Sequence, residues 1–176
     1  MDYVKGLSMD HKWNKRWVKL AHEVASWSKD ATQVGAVIVD QNRNPRGFGY
    51  NGIPRGLDDT DVQRHQKPIK NWMFEHAERN VLYACARNGI SCDGCILVTT
   101  HFPCCDCTRG IIQSGITHVV VDQACMDPHS YFYQKWSEQI TVSKHMLEEA
   151  GISVTLVDMQ PQHNELNDCI NMDTTT

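Results

Sequence analysis

Three thiols crowd into one short stretch, "HFPCCDCTRG" at residues 101–110: Cys104, Cys105 and Cys107. A disulfide between such near neighbours is awkward, because bridged Cα atoms sit about 4.4–6.8 Å apart with converging Cβ vectors. Metal ligation is the rival use, and Cys104 and Cys107 have C-x-x-C spacing. At i and i+3 they share one face of a helix's first turn, where backbone N–H groups and the positive helix end favour thiolates. Pro103 suits the first position of that helix, since its missing N–H is not needed there. Cys105 lies about 100° further round at about 3.6 residues per turn, so it is expected to point elsewhere and pack. Two thiolates do not fill a zinc shell. The missing donor is offered upstream by "EHAERN", which contains His76 and, two residues later, Glu78. Three protein ligands plus one open position is the arrangement of a catalytic zinc rather than a structural one. Glu78, at the same helix start as His76, can lean over the metal as a base without ligating it.

Other candidates weigh less. Cys92 and Cys95 form a second "CDGC" pair, but Cys95 opens an apolar run, and buried free cysteine is a common core residue. They are read as core thiols. His101 reads as a surface or loop histidine rather than a ligand, and Cys85, Cys125 and Cys169 carry no motif.

The donors need elements to hold them. "HAERNVLYACARNG" and "CCDCTRGIIQSG" read as helices, each following a strand. Residues 12–27 put Trp13, Trp17, Leu20, Ala21 and Val24 at helical spacing, an amphipathic first helix. "VGAVIVD" (34–40) is a buried strand, "NRNP" a turn and "GFGYN" (47–51) the returning strand. Residues 52–72 are polar with no clear period, and a loop this long is expected to be functional or disordered. "CILVTT", "THVVVD" and "ISVTLVD" are further strands. "WSEQITVSKHMLEEAG" is a helix with Ile140, Ser143, Leu147 and Ala150 on one face. Gly89-Ile90, Gly115-Ile116 and Gly151-Ile152 each close a helix, glycine in the left-handed conformation and isoleucine folding back. Alternating strands and helices imply right-handed crossovers and a largely parallel second half of the sheet. Residues 1–158 are expected to form one α/β domain and 159–176 a polar C-terminal tail.

Composition narrows the partners. The 176 residues suffice for one full core, with 41% apolar content. A net charge of −4, from 17 basic and 21 acidic residues, argues against a polymeric nucleic acid, which demands a basic stripe. No run approaches the roughly 20 apolar residues of a membrane span, and "MDYVKGLSMDHKW" lacks the apolar core of a secretory signal. A cytoplasmic protein with reduced cysteines is expected.

H-x-E followed by P-C-x-x-C is a known signature of zinc nucleobase deaminases. With "SKDATQVGAVIVD", "GYNGIPRGLDD", "EHAERNVLYACARNG" and "TTHFPCCDCTRGIIQSGI", the chain resembles the cytidine and deoxycytidylate deaminases over roughly residues 12–157, most closely the deoxycytidylate (dCMP) branch. The resemblance implies a three-layer α/β/α sandwich around a five-stranded mixed sheet. It implies that His76, Cys104 and Cys107 hold Zn2+, that Glu78 shuttles protons while water attacks C4 of cytosine, and that dCMP becomes dUMP and ammonia. Asn51 looks like the family's sugar-contacting asparagine. For a 5′-phosphate, the cations near motif segments are Lys29, Arg55, Arg79, Lys67 and Lys135, with Arg79 and Arg55 foremost. The resemblance further implies a homo-oligomer, hexamer or dimer, and Mg2+ accompanying a nucleotide effector. Two readings stay open beside dCMP: another free substrate (a 5-substituted dCMP, dCTP, a nucleoside or a riboflavin-pathway pyrimidine), or a zinc-stabilised interaction module without catalysis.

Overall fold

Short runs of β-branched and aliphatic residues make the middle of the sheet, where both faces are covered. In the computed structural model, which describes residues 11–160, these are β1 (Gly35–Val39), β3 (Ile96–Thr99) and β4 (His118–Asp122), almost wholly buried. β2 (Pro45–Tyr50) and β5 (Ser153–Val157) form the edges, giving the order β2-β1-β3-β4-β5. β1 is antiparallel to β2 and β3, whereas β3, β4 and β5 run parallel. The expected mixed five-stranded sheet is therefore what forms, with its second half parallel.

Alternation along the strands assigns two layers of helix. Val37, Val39, Ile96, Val98, Val120 and Val157 pack with Val18 and Ala21 of α1 (His11–Ala25). Ala36, Ile38, Leu97, Val119 and Val121 face the other way. There they meet Val81 and Leu82 of α3 (Ala77–Arg87), Ile111 of α4 (Cys105–Gln113), and Ile140 and Leu147 of α5 (Tyr131–Glu149). A one-residue slip in any strand would exchange the two sets, so the register is strongly specified. Gly49 lets α3 lie directly on β2: a Cβ there would stand 2.7 Å from the Val81 nitrogen and 2.8 Å from the Ala77 carbonyl oxygen.

Several boundaries differ from the sequence reading. β2 begins at Pro45, because an edge strand tolerates proline, and a bulge between Ile38 and Val39 absorbs the irregular register. Residues 52–72 hold a 3-10 turn at Val62–His65, capped by the Asp61 carboxylate, and the start of α2 (Ile69–Met73). Both are too short to impose a period. α5 starts at Tyr131, five residues before the predicted Trp136, because Ser130 Oγ accepts a hydrogen bond from the Tyr133 N–H at 3.1 Å and caps the helix. Its buried face carries Ile140, Ser143 and Leu147, but Ala150 is the exposed C-cap. All three Gly-Ile endings have glycine at positive φ, and the Ile90 and Ile152 N–H groups bond back to Cys85 and Leu147 carbonyls at 2.9 and 2.8 Å. Most of the predicted C-terminal tail, 161–176, lies outside the described residues. No described helix is long and apolar enough to cross a membrane.

Candidate active site

The parallel arrangement of β3 and β4 sends their C-terminal ends to one side, where open α/β sheets build their sites. Because β1 and β2 form an antiparallel hairpin, the start of β1 and the end of β2 reach that same side. α3 and α4 both begin there. His76 is the N-cap of α3 and Cys104 the N-cap of α4, each with extended backbone. Pro103 thus precedes the cap instead of occupying the first helical position. The extended Cys104 (ψ 171°) still has its carbonyl accept from the Thr108 N–H at 2.9 Å, so the first helical residue is Cys105, two residues after the expected Pro103.

The helix starts bring the three donors together. His76 Nδ1 lies 3.4 Å from Cys104 Sγ and 3.5 Å from Cys107 Sγ, and all three ligand atoms fall within 4.8 Å of one another. Zn–N bonds of about 2.05 Å and Zn–S bonds of about 2.3 Å at a tetrahedral angle separate N from S by about 3.5 Å, so the donor set fits a zinc ion. The charge states fit as well. A hydrogen bond from Cys107 lowers Cys104 to about 4, so it is a thiolate. Cys107 is pushed the opposite way by that same contact, since two adjacent sulfurs cannot both ionise without a cation between them. His76 is raised, first by its hydrogen bond to the Cys104 sulfur. Cys105 points away, its Sγ 3.6 Å from the Gln139 carbonyl oxygen on α5. Among the described residues no second cluster of this kind forms; Cys92 and Cys95 are buried core thiols.

Two of the donors, His76 and Cys104, open onto a cavity of about 320 Å³, in the size range of small-ligand sites, with Cys107 fully buried behind them. His76, Glu78, Cys104, Asn51 and His101 line it, with Phe132, Trp136 and Phe74 as apolar wall. Glu78 is only 3% exposed, and burial raises its carboxyl above the ordinary range. Asn51 stitches the wall together: its Oδ1 accepts from the Val34 N–H at 2.8 Å, and its Nδ2 donates to the Thr32 carbonyl at 2.9 Å and Asp30 Oδ2 at 3.2 Å.

The cations sort differently from their order along the chain. Lys29 is exposed and paired with Asp59 at 2.8 Å, Arg55 is exposed on the 52–72 segment, and neither lines the cavity. Arg79 also lies off the cavity, paired with Glu75 and Asp106. Lys67 and Lys135 do line it, with Lys70, which the motifs did not single out. Lys70 is held by Asp30 at 2.5 Å, and Lys135 Nζ lies 4.9 Å from the Trp136 ring centre. His101 is a loop histidine outside the donor cluster, as expected, but it is part-buried rather than on the open surface. It packs on Phe132 with ring centres 4.4 Å apart, and its Nδ1 is 3.0 Å from Thr100 Oγ1. Burial lowers it to about 4, leaving a neutral imidazole in the wall. Its place two residues before Pro103 was the only available signal.

Comparison with known proteins agrees with this geometry. The family model for the cytidine and deoxycytidylate deaminase zinc-binding region matches residues 11–123. An uncharacterized deaminase in the luxG 3′ region of Aliivibrio fischeri is 40% identical over 148 residues, covering 84% of this chain and 95% of that protein. A probable deoxycytidylate deaminase of Drosophila melanogaster is 35% identical over 154 residues, 80% of this chain and 70% of that one. Among solved structures, the dCMP deaminase from the cyanophage S-TIM5 in apo form superposes with a TM-score of 0.65 at 26% identity, covering 85% of this chain and all of that one. That enzyme has also been crystallised in complex with dCMP and dUMP. The match spans both ligand-bearing helices, and one relative aligns over nearly its whole length, so the chain belongs to the cytidine and deoxycytidylate deaminase family.

Proposed function

We propose that this chain hydrolyses dCMP to dUMP and ammonia. The observation that carries the reading is a buried carboxylate, Glu78, beside a zinc-fitting donor trio at the floor of a small-molecule cavity. Zinc, when bound by His76, Cys104 and Cys107, supplies Lewis acidity that lets water act as a nucleophile near neutral pH. Glu78 manages the protons: it accepts one from the attacking water, delivers it to N3 of the cytosine, and carries a second to the departing amine. Its burial suits that role, because a carboxyl raised above its ordinary range both takes and returns a proton readily. The apolar wall of Phe74, Phe132 and Trp136 holds a planar ring and limits bulk water. Asn51 meets a sugar hydroxyl only as an acceptor, through the second lone pair of Oδ1, because both its amide hydrogens are already donated.

Lys67 and Lys135 receive the 5′-phosphate. They come from separate elements, both line the cavity, and neither has a salt bridge among the described residues. Lys70, tied to Asp30, adds positive field beside them. The same reading makes the chain a cytoplasmic homo-oligomer. Its support is the unpaired cysteines among the described residues and the exposed aromatic group of Phe48 and Tyr50 on the edge strand β2 with Trp27 packed against them.

The test is ammonia release from dCMP, dCTP, a 5-substituted dCMP, deoxycytidine, cytosine and a riboflavin-pathway pyrimidine, compared by kcat/KM. dCMP is expected to lead, and no turnover of any cytosine nucleotide would remove the proposal. Glu78→Gln is expected to retain zinc and lose at least about 10²–10⁴-fold in kcat.

A further inference from the structure

Arg79 is next to a proton-moving glutamate, yet its side chain turns from the cavity into a chain of contacts between two helix starts. Its Nε donates to Glu75 Oε1 at 2.5 Å, and a terminal nitrogen meets the same oxygen. Its other terminal nitrogen pairs with Asp106 Oδ2 at 3.4 Å. Glu75 Oε1 also accepts the backbone N–H of His76 at 3.0 Å. Asp106 stands in the first turn of α4, between Cys104 and Cys107, and its second oxygen is held by Arg109. The sequence of contacts therefore runs from the backbone of the imidazole ligand, through Glu75 and Arg79, to the turn that carries both thiols.

Its span matters because it bridges the same two elements as the gaps of 3.4 and 3.5 Å between His76 Nδ1 and the sulfurs. Arg79 and Glu75 side chains are only 21% and 20% exposed, so their pairing is less screened than at an open surface. The segment around Glu75 is pinned as well, exchanging two backbone hydrogen bonds with Gly52 at 2.8 and 3.0 Å. A planar guanidinium engages two carboxylates at once, which an ammonium on a flexible stem does not reproduce.

We propose that Arg79 is a positioning residue: it clamps the α3 and α4 starts at the separation a zinc ion needs and so sets how tightly the site holds metal. The proposal rests on the zinc-site reading above, and the experiment separates the two. Full-length protein is titrated with Zn2+ against a chromophoric chelator, and the Co2+-substituted form is followed by its thiolate charge-transfer and d–d absorption. Arg79→Gln is expected to weaken zinc binding about 10–100-fold, the range for groups that orient metal ligands, and to broaden the cobalt bands. Asp106→Asn, at an exposed position where folding is not at stake, is expected to shift affinity the same way by a smaller factor. The double variant should be no weaker than Arg79→Gln alone, since both changes remove one bridge. Arg79→Lys should recover only part of the loss. With zinc saturating, KM for dCMP should stay within twofold of wild type.

Wild-type zinc affinity and cobalt spectra in both Arg79→Gln and Asp106→Asn would overturn the clamp. So would a raised KM for dCMP with unchanged zinc affinity, which would give Arg79 to the phosphate. Cys107→Ser is the control: if it too kept full zinc affinity, the metal-site reading itself would fall.

Discussion

Replacing Gly49 with alanine tests whether the geometry of the site depends on how closely α3 lies on β2. The added Cβ would meet the Val81 nitrogen at 2.7 Å and the Ala77 carbonyl oxygen at 2.8 Å. Both are helix backbone, so no side-chain rotation relieves them. Restoring ordinary contact near 3.4 Å requires α3 to retreat by about 0.6–0.7 Å. That helix carries Glu78 and is capped by His76, while Cys104 and Cys107 stay with α4. Productive sites tolerate about 0.5 Å of displacement, and about 1 Å costs about 10²-fold in rate. Gly49→Ala is therefore expected to lower kcat by about 10–100-fold, and overpacking should lower the unfolding free energy by about 1–3 kcal/mol. The assays are steady-state deamination at saturating zinc and urea unfolding. Gly151→Ala is the comparison: its Cβ would meet nothing within 4 Å, and it closes α5 at φ +72°, at the opposite end of that helix from the cavity-lining Tyr131 and Trp136. It should lose about 1 kcal/mol from backbone strain and keep its kcat. A Gly49→Ala protein with wild-type rate and stability would refute the argument that the close helix–strand approach sets the ligand positions.

Three further outcomes follow from particular contacts. Cys105→Ser should leave zinc stoichiometry by elemental analysis unchanged and Cys107→Ser should not; the reverse result would contradict the orientation of the α4 first turn. His101, lowered by burial to about 4 from an ordinary 6.5, takes its proton in the unfolded chain first. Its contribution to stability is complete above pH 6.5 and is lost as pH falls towards 4. The stability difference between wild type and His101→Gln should therefore shift against wild type by about 2 kcal/mol from pH 7 to pH 5 in urea titrations. An unchanged difference would mean the imidazole is protonated as easily folded as unfolded. Ser143 donates to the Pro103 carbonyl at 2.8 Å and bonds with Thr108, all fully buried or nearly so. Ser143→Ala leaves two buried groups unpartnered and should cost about 1–3 kcal/mol in unfolding free energy, and a loss under 0.5 kcal/mol would count against that network.

What the sequence by itself determined is what depends on neighbours along the chain. C-x-x-C and H-x-E set donor types and spacing within single turns, so the chemistry of the trio and the turning away of Cys105 were readable. Continuous apolar runs marked the central strands because both sheet faces are covered, and Gly-Ile pairs marked helix ends because φ and local hydrogen bonding decide those. Short or mixed segments gave no period, so α2 and the first turn of α5 were not legible. Tertiary structure alone decided which cations face the cavity. Long side chains go where distant partners satisfy them: Asp59 draws Lys29 outward, Glu75 and Asp106 draw Arg79 across to α4, Asp30 holds Lys70 at the cavity, packing on Phe132 turns His101 into its wall, and Lys67 and Lys135 stand at its lining without a salt bridge among the described residues. Those partners meet only when the sheet brings separate segments to one edge, a fact that spacing along a chain does not contain.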